Sequence, residues 1–138
     1  MTYAELAHFN DSLTRCTNNP RFLERFSAFF LASSDEVRHK FSTTDLRKQR
    51  RLVQASFYMV MLAADDSPTV TVRFAYLATL HSQSHLDIPP HLYDLWLDCL
   101  VQAVRESDHQ CTSEMESLWR RMMANGIAFM KARYHPKA

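Results

Sequence analysis

The chain has 138 residues, a formal net charge of +1, and 46% hydrophobic against 22% charged residues. That length fits one domain, 1–138, with enough apolar side chains to fill a sizeable core. The near-zero charge offers no field toward nucleic acid or an anionic membrane surface, and no apolar run approaches the ~18–20 residues a membrane span needs. The N-terminal segment lacks the apolar stretch of a signal peptide, so the expected location is cytoplasmic.

A single glycine, Gly126, leaves almost nothing for the tight turns of hairpins, and the punctuation is that of helices. Thr2-x-x-Glu5 reads as a capping box before Leu6, Phe9 and Leu13. Asn19-Pro20 reads as a cap with proline at the first helical position, opening the run Phe22, Leu23, Phe26, Phe29, Phe30. After a short segment ending at Phe41, Thr44-Asp45 starts a run carrying Leu46, Val53, Phe57, Val60 and Met61.

Ser67-Pro68 breaks the chain before a helix that reaches His81. Within it, residues 69–74 alternate with period 2 and are rich in β-branched side chains, a strand signature. No second strand is available to pair with it, so the segment is read as an irregular helix start. Pro89-Pro90 opens the next helix, with Leu92, Tyr93, Trp96, Leu97, Leu100 and Val104 at 3- and 4-residue spacing. Ser113-x-x-Glu116 reads as a last capping box, followed by Leu118, Trp119, Met122, Ile127, Met130 and Tyr134, and Pro136 ends the order. The fold class expected is all-α.

Several side chains invite a chemical reading. His81 closes an apolar helical turn, Leu77 to Leu80, and His85 follows at i+4. An imidazole so placed ligates iron in some proteins and is simply a packed core histidine in more of them. His81 and His85 would make a zinc pair only with a third ligand, and His91 lies across the Pro-Pro turn. Glu36/His39 and Glu106/His109 have the Glu-x-x-His spacing of di-iron carboxylate bundles, but their polar surroundings read as solvated surface. Cys16, Cys99 and Cys111 form no CxxC or CxxCH pattern, which argues against a disulfide framework and against thioether-linked haem. No phosphate-binding glycine loop, Ser-His-Asp set or Cys-His set is evident.

The order of these segments resembles the bacterial single-domain globins from about Tyr3 to Tyr134. Phe26-Ser27-Ala28-Phe29-Phe30-Leu31, then Asp35-Glu36-Val37-Arg38 and Phe41, is similar to that family's second helix and the corner at the haem edge. Asp45-Leu46-Arg47-Lys48-Gln49 is similar to the start of its distal helix, and 32 residues separate Gln49 from His81, as between the family's distal and proximal positions. The resemblance implies a globin-like fold of about six to eight helices around haem b (iron protoporphyrin IX). His81 would be the proximal iron ligand, Phe41 the wedge against the porphyrin, Gln49 the distal polar residue and Val53 its apolar neighbour. Phe26, Ser27, Phe30, Leu77, Leu80, Ile88, Tyr93, Trp96 and Leu97 would complete the pocket, with His85 at the haem edge near a propionate or simply in solvent.

The implied function is reversible binding of a diatomic gas: oxygen, or nitric oxide handled with a separate reductase, by a monomer or homodimer. The alternative is a haem-free globin-like interaction or sensory module, its pocket crowded by Phe26, Phe30 and Trp96. Two departures from the family pattern stand out. Ser27 occupies the position of a tyrosine that bonds the distal ligand in many bacterial globins. No acidic residue occurs between Ile127 and Ala138, where some relatives carry a glutamate that makes the proximal histidine more electron-donating; Tyr134 lies there instead.

Overall fold

The computed structural model describes residues 2–63 and 68–135, and among them it is built of helices alone. The helices are α1 (Tyr3–Thr17), α2 (Phe22–Ser33), α3 (Asp35–Lys40), α4 (Leu46–Ala63), α5 (Pro68–His81), α6 (Pro90–Ser107) and α7 (Ser113–Ala132).

Their starts follow from local chemistry. The capping box of α1 forms as expected, Glu5 N–H donating to Thr2 Oγ1 and Thr2 N–H to Glu5 Oε1, both at 3.1 Å. Helix α2 begins two residues later than the Asn19-Pro20 pattern suggests. Asn19 Oδ1 accepts from Arg21 N–H at 3.0 Å, so the asparagine builds a turn before the helix and does not cap it. Ser34 caps α3 through Val37 N–H, and the Asp45 carboxylate accepts from Arg47 and Lys48 N–H at the head of α4.

Residues 69–74 are helical within α5; the period-2 pattern yields because a lone segment has no ladder to join. Ser67 and Pro136 fall outside the described residues. At α7 the cap is Thr112, which accepts from Met115 N–H at 3.2 Å, one residue earlier than the expected Ser113. Glu116 is drawn away to Arg105, with N–O distances of 2.6 and 3.2 Å. The helix also stops at Ala132, short of Tyr134, which turns back toward the corner after α5.

Packing is centred on α2 against α6 and α6 against α7, with α1 and α5 also laid on α7. Trp119 of α7 is fully buried among Phe9 (ring centroids 4.6 Å), Phe57 (5.7 Å) and Phe22 (6.4 Å), so one ring cluster joins α1, α2, α4 and α7. Its only polar atom is satisfied: Nε1–H donates to Ser12 Oγ at 2.9 Å, and Ser12 in turn donates to Asp108 Oδ2 at 2.7 Å. Asp108, buried at the end of α6, also accepts from Arg15 Nε at 2.5 Å and from Gln110 N–H at 2.9 Å. Burial pushes its carboxyl up, but the bonds from Arg15, Ser12 and Gln110 outweigh this and hold it below the ordinary value.

The cysteines carry no bridge. Cys16 is buried, and desolvation pushes its thiol up to about 12, which leaves it an inert core group.

Candidate haem pocket

His81 ends α5, where the last carbonyls of the helix take their N–H partners from the corner that follows. Its Nδ1 lies 2.8 Å from the carbonyl oxygen of Leu77. A carbonyl only accepts, so Nδ1 carries the proton and Nε2 keeps its lone pair, with no hydrogen-bond partner among the described residues. The ring is mostly buried, and desolvation, only partly opposed by the Leu77 bond, lowers its pKa. The result is a neutral imidazole, fixed in one tautomer, with a nitrogen available to a metal. That is the donor a haem iron takes as its axial ligand.

The corner after His81 is tightly tied. Ile88 N–H donates to the His81 carbonyl at 3.1 Å, Leu86 N–H to Leu80 at 2.9 Å and Asp87 N–H to Ser82 at 2.9 Å. Asp87 adopts φ 53°, a left-handed conformation that aspartate tolerates better than most residues. Its carboxylate accepts from the Tyr134 hydroxyl and faces Lys40 Nζ at 3.7 Å. Tyr134, expected near the proximal histidine, is therefore bonded to the corner beside it.

Of the expected apolar residues, Ile88, Tyr93, Trp96 and Leu97 belong to one packed core cluster with Phe26, Phe30 and Phe41. Leu77, Leu80, Tyr93, Trp96 and Leu97 are half-buried, and Ile88 is buried. On α2, Phe26 stacks on Phe30 at 5.9 Å and meets Trp96 edge-on at 5.6 Å; Phe30 in turn meets Phe41 at 5.4 Å. Burial pushes the Tyr93 hydroxyl up to about 12, so it stays protonated. Half-buried aromatic and aliphatic faces leave apolar surface for a flat apolar cofactor to cover. The donor chemistry of His81 and these walls fit a haem.

On α4, Gln49 and Val53 are half-buried, and Val53 packs against the core cluster. Ser27 is buried, and its hydroxyl accepts from Arg50 Nε at 3.2 Å. Arg50 was hidden in the charge run Arg47 to Arg51, which reads as a solvated face. The readable signal was its position seven residues before Phe57, two helical turns back along one face from a buried ring.

His85 is exposed, with Nδ1 3.3 Å from Ser82 Oγ, and borders an open hollow of about 550 Å3 with Thr79, Ser84, Arg133 and His135. The other metal readings fare differently. His91 bonds Glu36, and among the described residues no three His, Cys, Asp or Glu side chains converge as a metal-binding group.

The described residues thus form an all-helical fold in which one helix ends on a neutral, mostly buried imidazole. The globin family model matches residues 10–130, and the chain belongs to the globin family. It is similar, at 38% identity and a TM-score of 0.89, to a crystal structure of a Pseudomonas aeruginosa PAO1 protein described as structurally highly homologous to a human haemoglobin. The match covers 94% of this chain and 98% of that one. No curated protein matches. Among the described residues no helix is long and apolar enough to cross a membrane.

Proposed function

We propose that this chain is a single-domain globin that holds haem b through His81 and reversibly binds a diatomic gas, most readily oxygen. The observation that carries the reading is the His81–Leu77 bond, which fixes the tautomer and leaves Nε2 for iron. Haem supplies the iron at which a diatomic ligand binds. His81 orients that centre; Leu77, Leu80, Ile88, Trp96 and Leu97 exclude water; Phe26, Phe30 and Phe41 wall the pocket; and Tyr93, kept protonated, adds no charge. Gln49 offers an amide donor to a polarised ligand, a bond contributing about 1 kcal/mol net, with Val53 limiting space beside it. His85 belongs at the rim.

Nitric oxide chemistry fits the same pocket if a separate reductase returns the electron. The setting proposed is the cytoplasm, as a monomer or homodimer. Purified protein loaded with haem is expected to show a Soret band, and His81→Ala to lose the haem or to keep it only with added imidazole. A wild-type protein that takes up no haem would favour the haem-free interaction module. An unchanged ferrous spectrum in His81→Ala alongside loss in His85→Ala would move the ligand to His85.

A further inference from the structure

Ser27 and Arg50 meet where α2 packs on α4, and α4 also packs on α5, the helix that carries His81. Arg50 differs from its neighbours: Arg47, Lys48 and Arg51 are exposed, whereas Arg50 is half-buried. A guanidinium partly withdrawn from water normally acquires a carboxylate, because an unpaired charge there is costly. Among the described residues Arg50 has no ion-pair partner; its one bond goes from Nε to the neutral hydroxyl of Ser27. The bond fixes the end of a long flexible stem and leaves the two terminal nitrogens with their forked donors and their charge.

We propose that Arg50, positioned by Ser27, makes the ligand side of the pocket selective for small monovalent anions that coordinate ferric iron, such as azide and nitrite, over neutral ligands. This rests on the haem reading above. A fixed cation favours an anion through charge-assisted hydrogen bonds, which are roughly twice as strong as neutral ones, and gives a neutral ligand no such advantage. Ser27 acts through Arg50 and is a positioning residue. The serine found where many bacterial globins carry a tyrosine then has a use: it makes room for a guanidinium and anchors it.

The test is titration of the protein reconstituted with ferric haem, using azide as the anion and imidazole as the neutral ligand, followed by the Soret shift. Arg50→Leu is expected to weaken azide binding about tenfold and imidazole binding less than about twofold. Arg50→Lys, which keeps the charge, retains most of the azide affinity. Ser27→Ala weakens azide about threefold and leaves imidazole alone, a split that a merely structural role would not produce. Added non-coordinating salt weakens azide binding in the wild type more than in Arg50→Leu. Equal losses for both ligands, or unchanged azide affinity in Arg50→Leu, overturn the proposal while leaving the haem reading intact. A wild-type protein with no Soret band overturns both.

Discussion

Around Trp119 the rings of Phe9, Phe22 and Phe57 are closed off from solvent, while in the group around Trp96 the rings of Phe26 and Phe30 are buried but Phe41 and Trp96 itself are partly exposed. Both groups contain one tryptophan and three phenylalanines, with centroid spacings between 4.6 and 6.4 Å. Composition does not separate them; polar closure does. Trp119 is tied through Ser12 to the Asp108–Arg15 pair, so the first cluster ends in a satisfied network. Among the described residues no hydrogen bond ties Trp96 into a comparable network. One group is wholly interior, and the other brings apolar area to the surface through Phe41 and Trp96.

The largest effect should come from emptying the closed cluster. Trp119→Ala removes a fully buried indole and leaves Ser12 Oγ without its donor, and is expected to cost about 4 kcal/mol of unfolding free energy in urea, with or without haem. A loss below about 1 kcal/mol would show the cluster is looser than its burial implies.

Asp108 sharpens the contrast through pH. Its folded-state carboxyl holds its proton more weakly than the unfolded chain does, so its contribution is complete above the ordinary aspartate value of about 3.9 and is lost as the pH falls through the folded value. Asp108→Asn should cost about 2 kcal/mol at neutral pH, and the gap from wild type should narrow steadily in acid. Parallel stability curves between pH 6 and 3 would sink the assignment.

Phe41→Ala belongs to the partly exposed group and gives the smallest change in the haem-free protein, about 1 kcal/mol. Its effect should appear instead as haem loss about tenfold faster, measured by transfer to an apoglobin acceptor. If Phe41→Ala destabilises the haem-free protein as much as Trp119→Ala does, the distinction between the two clusters fails.

Much of this architecture was legible in the chain. The Thr2/Glu5 box and the Pro68 and Pro90 starts are local signals, and they place α1, α5 and α6 as found. The misplacements have a shared physical source: a side chain taken by a competing partner. Asn19 closes a turn on Arg21, and Glu116 prefers Arg105. Tyr134 leaves the helical path for Asp87. At the site, His81 was legible from its apolar turn, but its tautomer is set by a side-chain rotamer that brings Nδ1 onto the helical carbonyl four residues back, which residue spacing does not fix. Arg50 was not legible because its neighbours carry the same charge, and only packing against α2 distinguishes it.

The ties at the histidine corner also set an order of events during synthesis. Gln83 N–H donates to the Tyr134 carbonyl at 2.8 Å, and His135 Nδ1 lies 3.0 Å from Gln83 Oε1, so the corner is fastened by residues made some fifty positions later. Contacts of such long sequence separation form late, because the intervening chain must first be drawn closed. A nascent chain emerging from the ribosome can build α1 through α4 locally, yet its histidine corner has only its own local bonds until the turn after α7 is in reach. The corner around His81 is therefore among the last parts of the molecule to become rigid, and a cofactor arriving earlier meets a softer site than the finished protein offers.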